Sequence, residues 1–161
     1  MNPSRRTTIR ALGALATMSL APWASAFGRD LELEVWRGPQ CGCCEVWIDL
    51  MKKAGFKVKE QLVDNPAVWR ARAGMPVKFG SCHTARIGDY VIEGHVPSED
   101  IKRLLAQRPT ALGLAVPYMP IGSPGMEVED GRRQAYDVLL VQRDGSAKTF
   151  THYPAIAGKR S

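Results

Sequence analysis

The sequence has no unbroken apolar run of the ~18 residues that a membrane-spanning helix needs. Its longest apolar stretch lies near the N-terminus and is interrupted by small polar residues before that length. A multi-span membrane protein is thereby excluded. Concentrated basic charge is missing too. The net charge is +6 over 161 residues, but three of the 22 basic side chains fall within residues 1–26, which hold no Asp or Glu. The remainder carries 19 basic and 16 acidic side chains, a net +3. That is too little for a nucleic-acid-binding face. There is no Ser-His-Asp order, no phosphate loop, no paired-carboxylate motif, no internal repeat and no low-complexity stretch. Asp64, Asp89, Asp130 and Asp144 sit beside turn residues, where short acids cap or turn the chain. What is present is ordinary globular composition, 45% hydrophobic and 24% charged, with four cysteines. Three of those cysteines fall within four positions.

Residues 1–26 read as a secretory signal peptide. Arg5, Arg6 and Arg10 precede an apolar stretch of 11 residues, Ala11 to Ala21, and Ala24-Ser25-Ala26 supplies a small-x-small cleavage site. The stretch is too short for a stable anchor, so cleavage leaves Phe27 as the new terminus and no membrane attachment. Ser4-Arg5-Arg6-Thr7-Thr8-Ile9-Arg10 resembles the twin-arginine export signal, although Thr8 stands where a bulky apolar residue is usual. Ordinary export signals also carry paired arginines. Either route ends in the bacterial periplasm, where unprotected thiols become oxidised.

Residues 27–161 read as one domain. Leu31 to Trp36 alternates apolar and polar residues, the pattern of a half-buried strand. Cys44, Trp47, Ile48 and Met51 then form one helical stripe that Gly55 ends. Phe56 to Val63 is a second strand, and Asn65-Pro66 opens a short helix to Ala73. Thr84 to Val96 is a hairpin turning at Gly88-Asp89, followed by a helix from Pro97-Ser98-Glu99-Asp100 with Ile101, Leu104 and Leu105 inward. Residues 109–135, rich in Pro and Gly, predict a long ordered loop. A second hairpin pairs Ala135–Val141 with Ala147–His152, and Ala155 to Ser161 should fray. Strand, helix, strand, helix, hairpin, helix is the element order of the thioredoxin fold, an α/β class, here with an added loop and a C-terminal hairpin.

Cys41-Gly42-Cys43-Cys44 falls between the first strand and first helix, where that fold carries its redox motif. The helix dipole there favours thiolates. Cys41 and Cys44 have Cys-x-x-Cys spacing, but Cys43 offers a competing partner. Cys82 precedes the third strand, in a loop that faces the helix N-terminus in a thioredoxin-like arrangement and usually holds a proline. Three chemistries stay open: two structural disulfides, a thiol–disulfide oxidoreductase using Cys41 and Cys44, or a soft cation held by all four sulfurs. A Cys43–Cys44 bridge would be strained. Adjacent cysteines suit a single tetrahedral ion poorly, and bridging thiolates shared among several copper(I) ions suit them better.

Softer candidates surround the cluster. Met119 and Met126 flank a Pro/Gly loop and are either thioether ligands or apolar plugs. Met75 should simply pack. His83 is a candidate ligand or a donor that orients a thiolate, and His95 either reaches the same face or makes a structural hydrogen bond. His152 should be an exposed strand residue. Trp36 and Trp47 bracket the cysteine loop as shielding or plain core.

The segments Trp36-Arg37-Gly38-Pro39-Gln40-Cys41-Gly42-Cys43-Cys44, Ser81-Cys82-His83-Thr84-Ala85 and Glu93-Gly94-His95-Val96-Pro97 resemble the periplasmic copper-resistance proteins of the CopG family. Gly113 to Pro117 and Met119 to Glu127 extend the resemblance, which covers about residues 31–154. Tyr118 interrupts it where small residues are common. The resemblance implies a thioredoxin-like fold and copper held by Cys41, Cys43, Cys44 and Cys82, often as a thiolate-bridged multinuclear cluster. It also implies a copper-resistance role, with copper(I)/copper(II) redox cycling and exchange with other periplasmic copper-handling proteins as its extensions.

Overall fold

The computed structural model describes residues 32–159. The signal-peptide expectation for residues 1–26 lies outside them. Among the described residues, seven strands and three α-helices follow one another as β1 (Glu32–Arg37), α1 (Gly42–Lys53), β2 (Lys57–Leu62), α2 (Pro66–Arg72), β3 (His83–Ile87), β4 (Tyr90–Glu93), α3 (Ser98–Gln107), β5 (Gly113–Ala115), β6 (Tyr136–Val141) and β7 (Ala147–Tyr153). A single 3₁₀ turn, Val77–Phe79, precedes the Cys82 loop.

Local chemistry sets the boundaries. The predicted stripe of Cys44, Trp47, Ile48 and Met51 is the buried face of α1. Its end is a Schellman closure: Gly55, at φ +96, donates to the Lys52 carbonyl and Phe56 donates to the Met51 carbonyl. A side chain at Gly55 would strain that turn. In α2, Pro66 occupies the first turn and the Asn65 side chain accepts from the Ala67 N–H at 3.0 Å.

The strands form one sheet in the order β2-β1-β3-β4-β5-β6-β7. β1 and β2 are parallel, as are β4 and β5, and the other pairs are antiparallel. β2 is one margin of the sheet and exposes Lys57, Lys59 and Glu60, while β7 at the other margin exposes Lys148 and His152.

Alternation along the strands divides the core between two faces. Ile92, Leu114, Val138 and Leu140 pack with Trp47, Ile48 and Met51 of α1 and with Ile101 and Leu104 of α3. Val91, Ala115 and Val141 face Met75, Phe79 and Leu112 on the other side. Each large side chain buried in this way contributes about 1.5–3 kcal/mol. Met75 packs as expected. Among the described residues no helix is long and apolar enough to cross a membrane.

Two expectations need correction. Residues 109–135 are not all loop, because β5 is inserted between β4 and β6 and joins the C-terminal hairpin to the main sheet. A Cβ at Gly113 would meet the Val91 carbonyl oxygen at 1.8 Å, so only glycine lets the strands approach there. The segment from Ala155 is also held as far as residue 159. Arg133 and Ile156 exchange backbone hydrogen bonds at 2.9 Å, and the Lys159 N–H reaches the Asp130 carbonyl.

Candidate metal centre

The β1–α1 connection begins at Arg37, a buried guanidinium that bonds Glu60 of β2, Glu45 of α1 and the Gly38 carbonyl. This fixes the start of the cysteine loop. Cys41 is the N-cap of α1 and is joined to Cys44 by a disulfide, with their Cα atoms 5.3 Å apart. Cys43 and Cys82 are free thiols. The pairing of all four cysteines into two bridges is therefore not what the chain adopts.

Cys82 reaches the helix from the start of β3, the strand beside β1, where His83 is paired with Arg37. Its sulfur lies 3.5 Å from that of Cys44, and the Cys41 and Cys43 sulfurs are 3.6 Å apart. All four sulfurs fall within 4.8 Å of one another. Cys44 is fully buried. Cys41 and Cys82 line an open cleft of about 560 Å³, bordered by Gly38, Pro39, Gln40, Asp64 and Pro66.

Two residues outside the predicted site hold Cys82 in place. The Glu93 carboxylate is completely buried and accepts from the Ser81 N–H at 2.7 Å, from the Arg70 Nε at 2.9 Å and from the Thr84 hydroxyl at 2.7 Å. Arg70 also donates to the Ser81 carbonyl at 3.2 Å. Ser81 is thus gripped at both ends of its backbone, one residue before Cys82. A legible signal existed: Glu93 continues the inward face that Val91 occupies on β4, where an unpaired acid would be costly.

Both histidine candidates lie against Cys82. The His83 Nδ1 is 3.4 Å and the His95 Nε2 is 2.9 Å from its sulfur. Both rings are fully buried. His83 packs on Trp47, whose indole N–H donates to the Val96 carbonyl, and its Nε2 has no hydrogen-bond partner. The His95 Nδ1 meets the Pro124 carbonyl oxygen at 2.7 Å, so His95 combines the two roles foreseen for it. His152 is exposed and pairs with Asp137.

The Pro120–Met126 loop lies across the first turn of α1. A Cβ on Gly125, at φ +87, would meet the Cys43 carbonyl oxygen at 2.7 Å and the Trp47 nitrogen at 3.0 Å. Met126 is partly buried beside this contact, while Met119 is 47% exposed. Tyr118 adopts φ +63, a left-handed conformation, and its N–H bonds the Gly80 carbonyl. Trp36 stacks on Trp69 of α2 at 4.8 Å, while Trp47 packs on His83 within the site.

Burial governs the charge of these groups. It lowers His83 to about 3, aided by the nearby His95, and lowers His95 as well, so both imidazoles are neutral. It pushes the Cys82 thiol up to about 12, with the neighbouring Cys43 adding to the effect. A bound cation is the agent that reverses this and favours the thiolate. Sulfur and imidazole donors converging at this cleft fit the binding of copper.

Comparisons with known proteins point the same way. A family described as protein of unknown function, DUF411, matches residues 79–126, the stretch that holds Cys82, His83, His95 and the loop over α1. No match is found among curated proteins. Two solved forms of the copper resistance protein CopG are each 42% identical to this chain. The first covers 78% of this chain and 98% of its own, with a TM-score of 0.73. The second covers 76% and 98%, with a TM-score of 0.72. Identity at that level across nearly the entire CopG chain, on a thioredoxin-like α/β fold, leads to one conclusion: the protein belongs to the CopG family.

Proposed function

We propose that this chain binds copper(I) through the thiolates of Cys41, Cys43, Cys44 and Cys82 and serves copper resistance or homeostasis in the periplasm. The observation that carries the reading is the meeting of four sulfurs within 4.8 Å, one of them from a loop remote in sequence. Thiolates are the donors that select copper(I). Neighbouring sulfurs 3.5 and 3.6 Å apart suit thiolates that bridge more than one ion. Cys41 and Cys44 can serve only after their disulfide is reduced, so loading requires the dithiol form. Met126 and Met119 are softer auxiliary donors at the loop. The imidazoles beside Cys82 are compatible with cycling between copper(I) and copper(II). The arginines, apolar stretch and Ala24-Ser25-Ala26 of residues 1–26 support export, and the cleft at Cys41 and Cys82 is where another copper-handling protein would exchange the ion.

A second reading has its own observation. The Cys41–Cys44 disulfide sits at a helix N-terminus beside an open cleft, the placement of a thiol–disulfide oxidoreductase. Copper per chain, measured on anaerobically reduced wild type, Cys43→Ser and Cys82→Ser, separates the two. The copper reading expects both variants to lose metal. Unchanged copper in both, with disulfide reductase activity intact, establishes the oxidoreductase instead.

A further inference from the structure

The two most exposed large apolar side chains among the described residues are Val77, at 81%, and Tyr118, at 77%. They are linked through Gly80, whose N–H donates to the Val77 carbonyl at 2.9 Å and whose carbonyl accepts from the Tyr118 N–H at 3.1 Å. Met119, half exposed, follows Tyr118. We propose that Val77, Tyr118 and Met119, with Lys78 and Asp144 at their margin, form a self-complementary patch through which two copies of this chain associate about a two-fold axis. The proposal stands apart from the metal reading, because no cysteine or histidine takes part in it.

The Tyr118 backbone is strained. Its φ of +63 is left-handed, a conformation that costs a non-glycine residue about 1–3 kcal/mol. The residue is pinned there at both ends, by its N–H on the Gly80 carbonyl and by its own carbonyl, which accepts from the Ser81 hydroxyl. Glycine would make both bonds without the strain. The phenol ring offsets none of it inside the fold, since it lies in solvent. A strained backbone presenting an unburied aromatic has the form of an anchor that is buried only on association, and tyrosine is among the residues that most often carry binding energy.

Charge at the margin favours a second copy over an unrelated protein. Lys78 and Asp144 are both exposed. Hydrogen bonds from Ser146 hold the Asp144 carboxyl below its ordinary value, and the nearby charge of Lys78 adds to this. The turn that carries Asp144 rests on the segment that carries Val77, for a Cβ on Gly145 would meet the Pro76 ring at 3.6 Å. One cation and one anion beside a shared apolar centre complement themselves: across a two-fold axis, Lys78 of one copy meets the partner's Asp144, and the reverse pair forms with it.

Such a contact uses the same patch on both copies, so it closes at two and does not grow. Three apolar side chains make a small interface, far below that of a permanent dimer. The association is therefore weak and reversible, with a dissociation constant in the micromolar range or above.

The test is sedimentation equilibrium of the reduced, metal-free protein from about 10 µM to about 1 mM, a range set by the weakness of so small an interface. The reductant excludes bridges between copies through the free thiols of Cys43 and Cys82. The expected mass rises from one chain toward two and no further. Tyr118→Gly should weaken association at least about 10-fold, with no loss of stability in urea denaturation, because glycine accepts the left-handed backbone. Lys78→Glu sets a carboxylate against the partner's Asp144 and should weaken association as well. A mass of one chain throughout the range overturns the proposal and leaves the patch to a different protein. Association unmoved by either variant also overturns it, by placing the contact elsewhere. Should Tyr118→Gly not fold, Tyr118→Asn, which tolerates the same backbone, gives the same readout with the same consequences.

Discussion

Cys44 and Cys82, 38 positions apart in the chain, hold their sulfurs 3.5 Å apart while Cys44 is bonded to Cys41. The Cys44 sulfur can therefore serve either the disulfide or the proposed cation site shared with Cys82, not both at once. Thiol titration should give two free thiols per unfolded chain as isolated under oxidising conditions and four after reduction. Copper(I) uptake should be lower in the first form than in the second. Equal uptake by both would refute the competition.

The buried Glu93–Arg70 pair supports the opposite side of the site. Removing one member of a buried charge pair costs about 3–5 kcal/mol, because its partner is left without compensation. Glu93→Ala should lower the unfolding free energy by that order in urea denaturation and weaken copper(I) binding through Cys82. Glu93→Gln, which keeps an acceptor for the Ser81 N–H, should lose less of both. A Glu93→Ala protein with wild-type stability and affinity would show that Ser81 is held by other contacts.

Gly125 is where the covering loop touches the cysteine helix. A methyl group there meets the Cys43 carbonyl and must also adopt a left-handed backbone. Gly125→Ala should destabilise the fold by about 1–3 kcal/mol in the same measurement. It should also loosen the hold of Pro124 on His95. No change in stability would mean that the loop does not rest on α1.

Alkaline titration tests the attachment of the C-terminal hairpin. Tyr153 stacks on Tyr136 and donates to the buried Asp100, which also accepts from Thr151 and Arg103. Burial raises Tyr136 to about 12 and raises Tyr153 further, with the Asp100 hydrogen bond assisting. A folded value above the unfolded one means that the protonated phenol is favoured in the native state. That stability is complete below pH 10 and is lost as the pH rises through about 12. Phenolate absorbance should show these two rings ionising late and together with loss of structure. Ionisation of all four tyrosines near pH 10 in folded protein would contradict the packing.

Much of this was visible in the residues because the signals were local. The stripe on α1, the Asn65-Pro66 start and the Gly88-Asp89 turn depend on neighbours within a few positions, and each appears where expected. Convergence of Cys82 on Cys41–Cys44 followed from element order alone. β5 escaped notice because three fully buried residues show no alternation and pair only with strands distant in sequence. The Glu93–Arg70 grip spans 23 positions and has no spacing rule. His95 was ambiguous because its ring orientation depends on how the Pro120–Met126 loop folds back, which Gly125 permits only in three dimensions.

The charged margins of the sheet bear on the behaviour of many copies together. Lys57, Lys59 and Glu60 on β2, and Lys148 on β7, stand where an incoming molecule would otherwise add itself as the next strand. Charge at such margins makes that addition costly. Crowded copies are thereby discouraged from zipping edge to edge into ribbons.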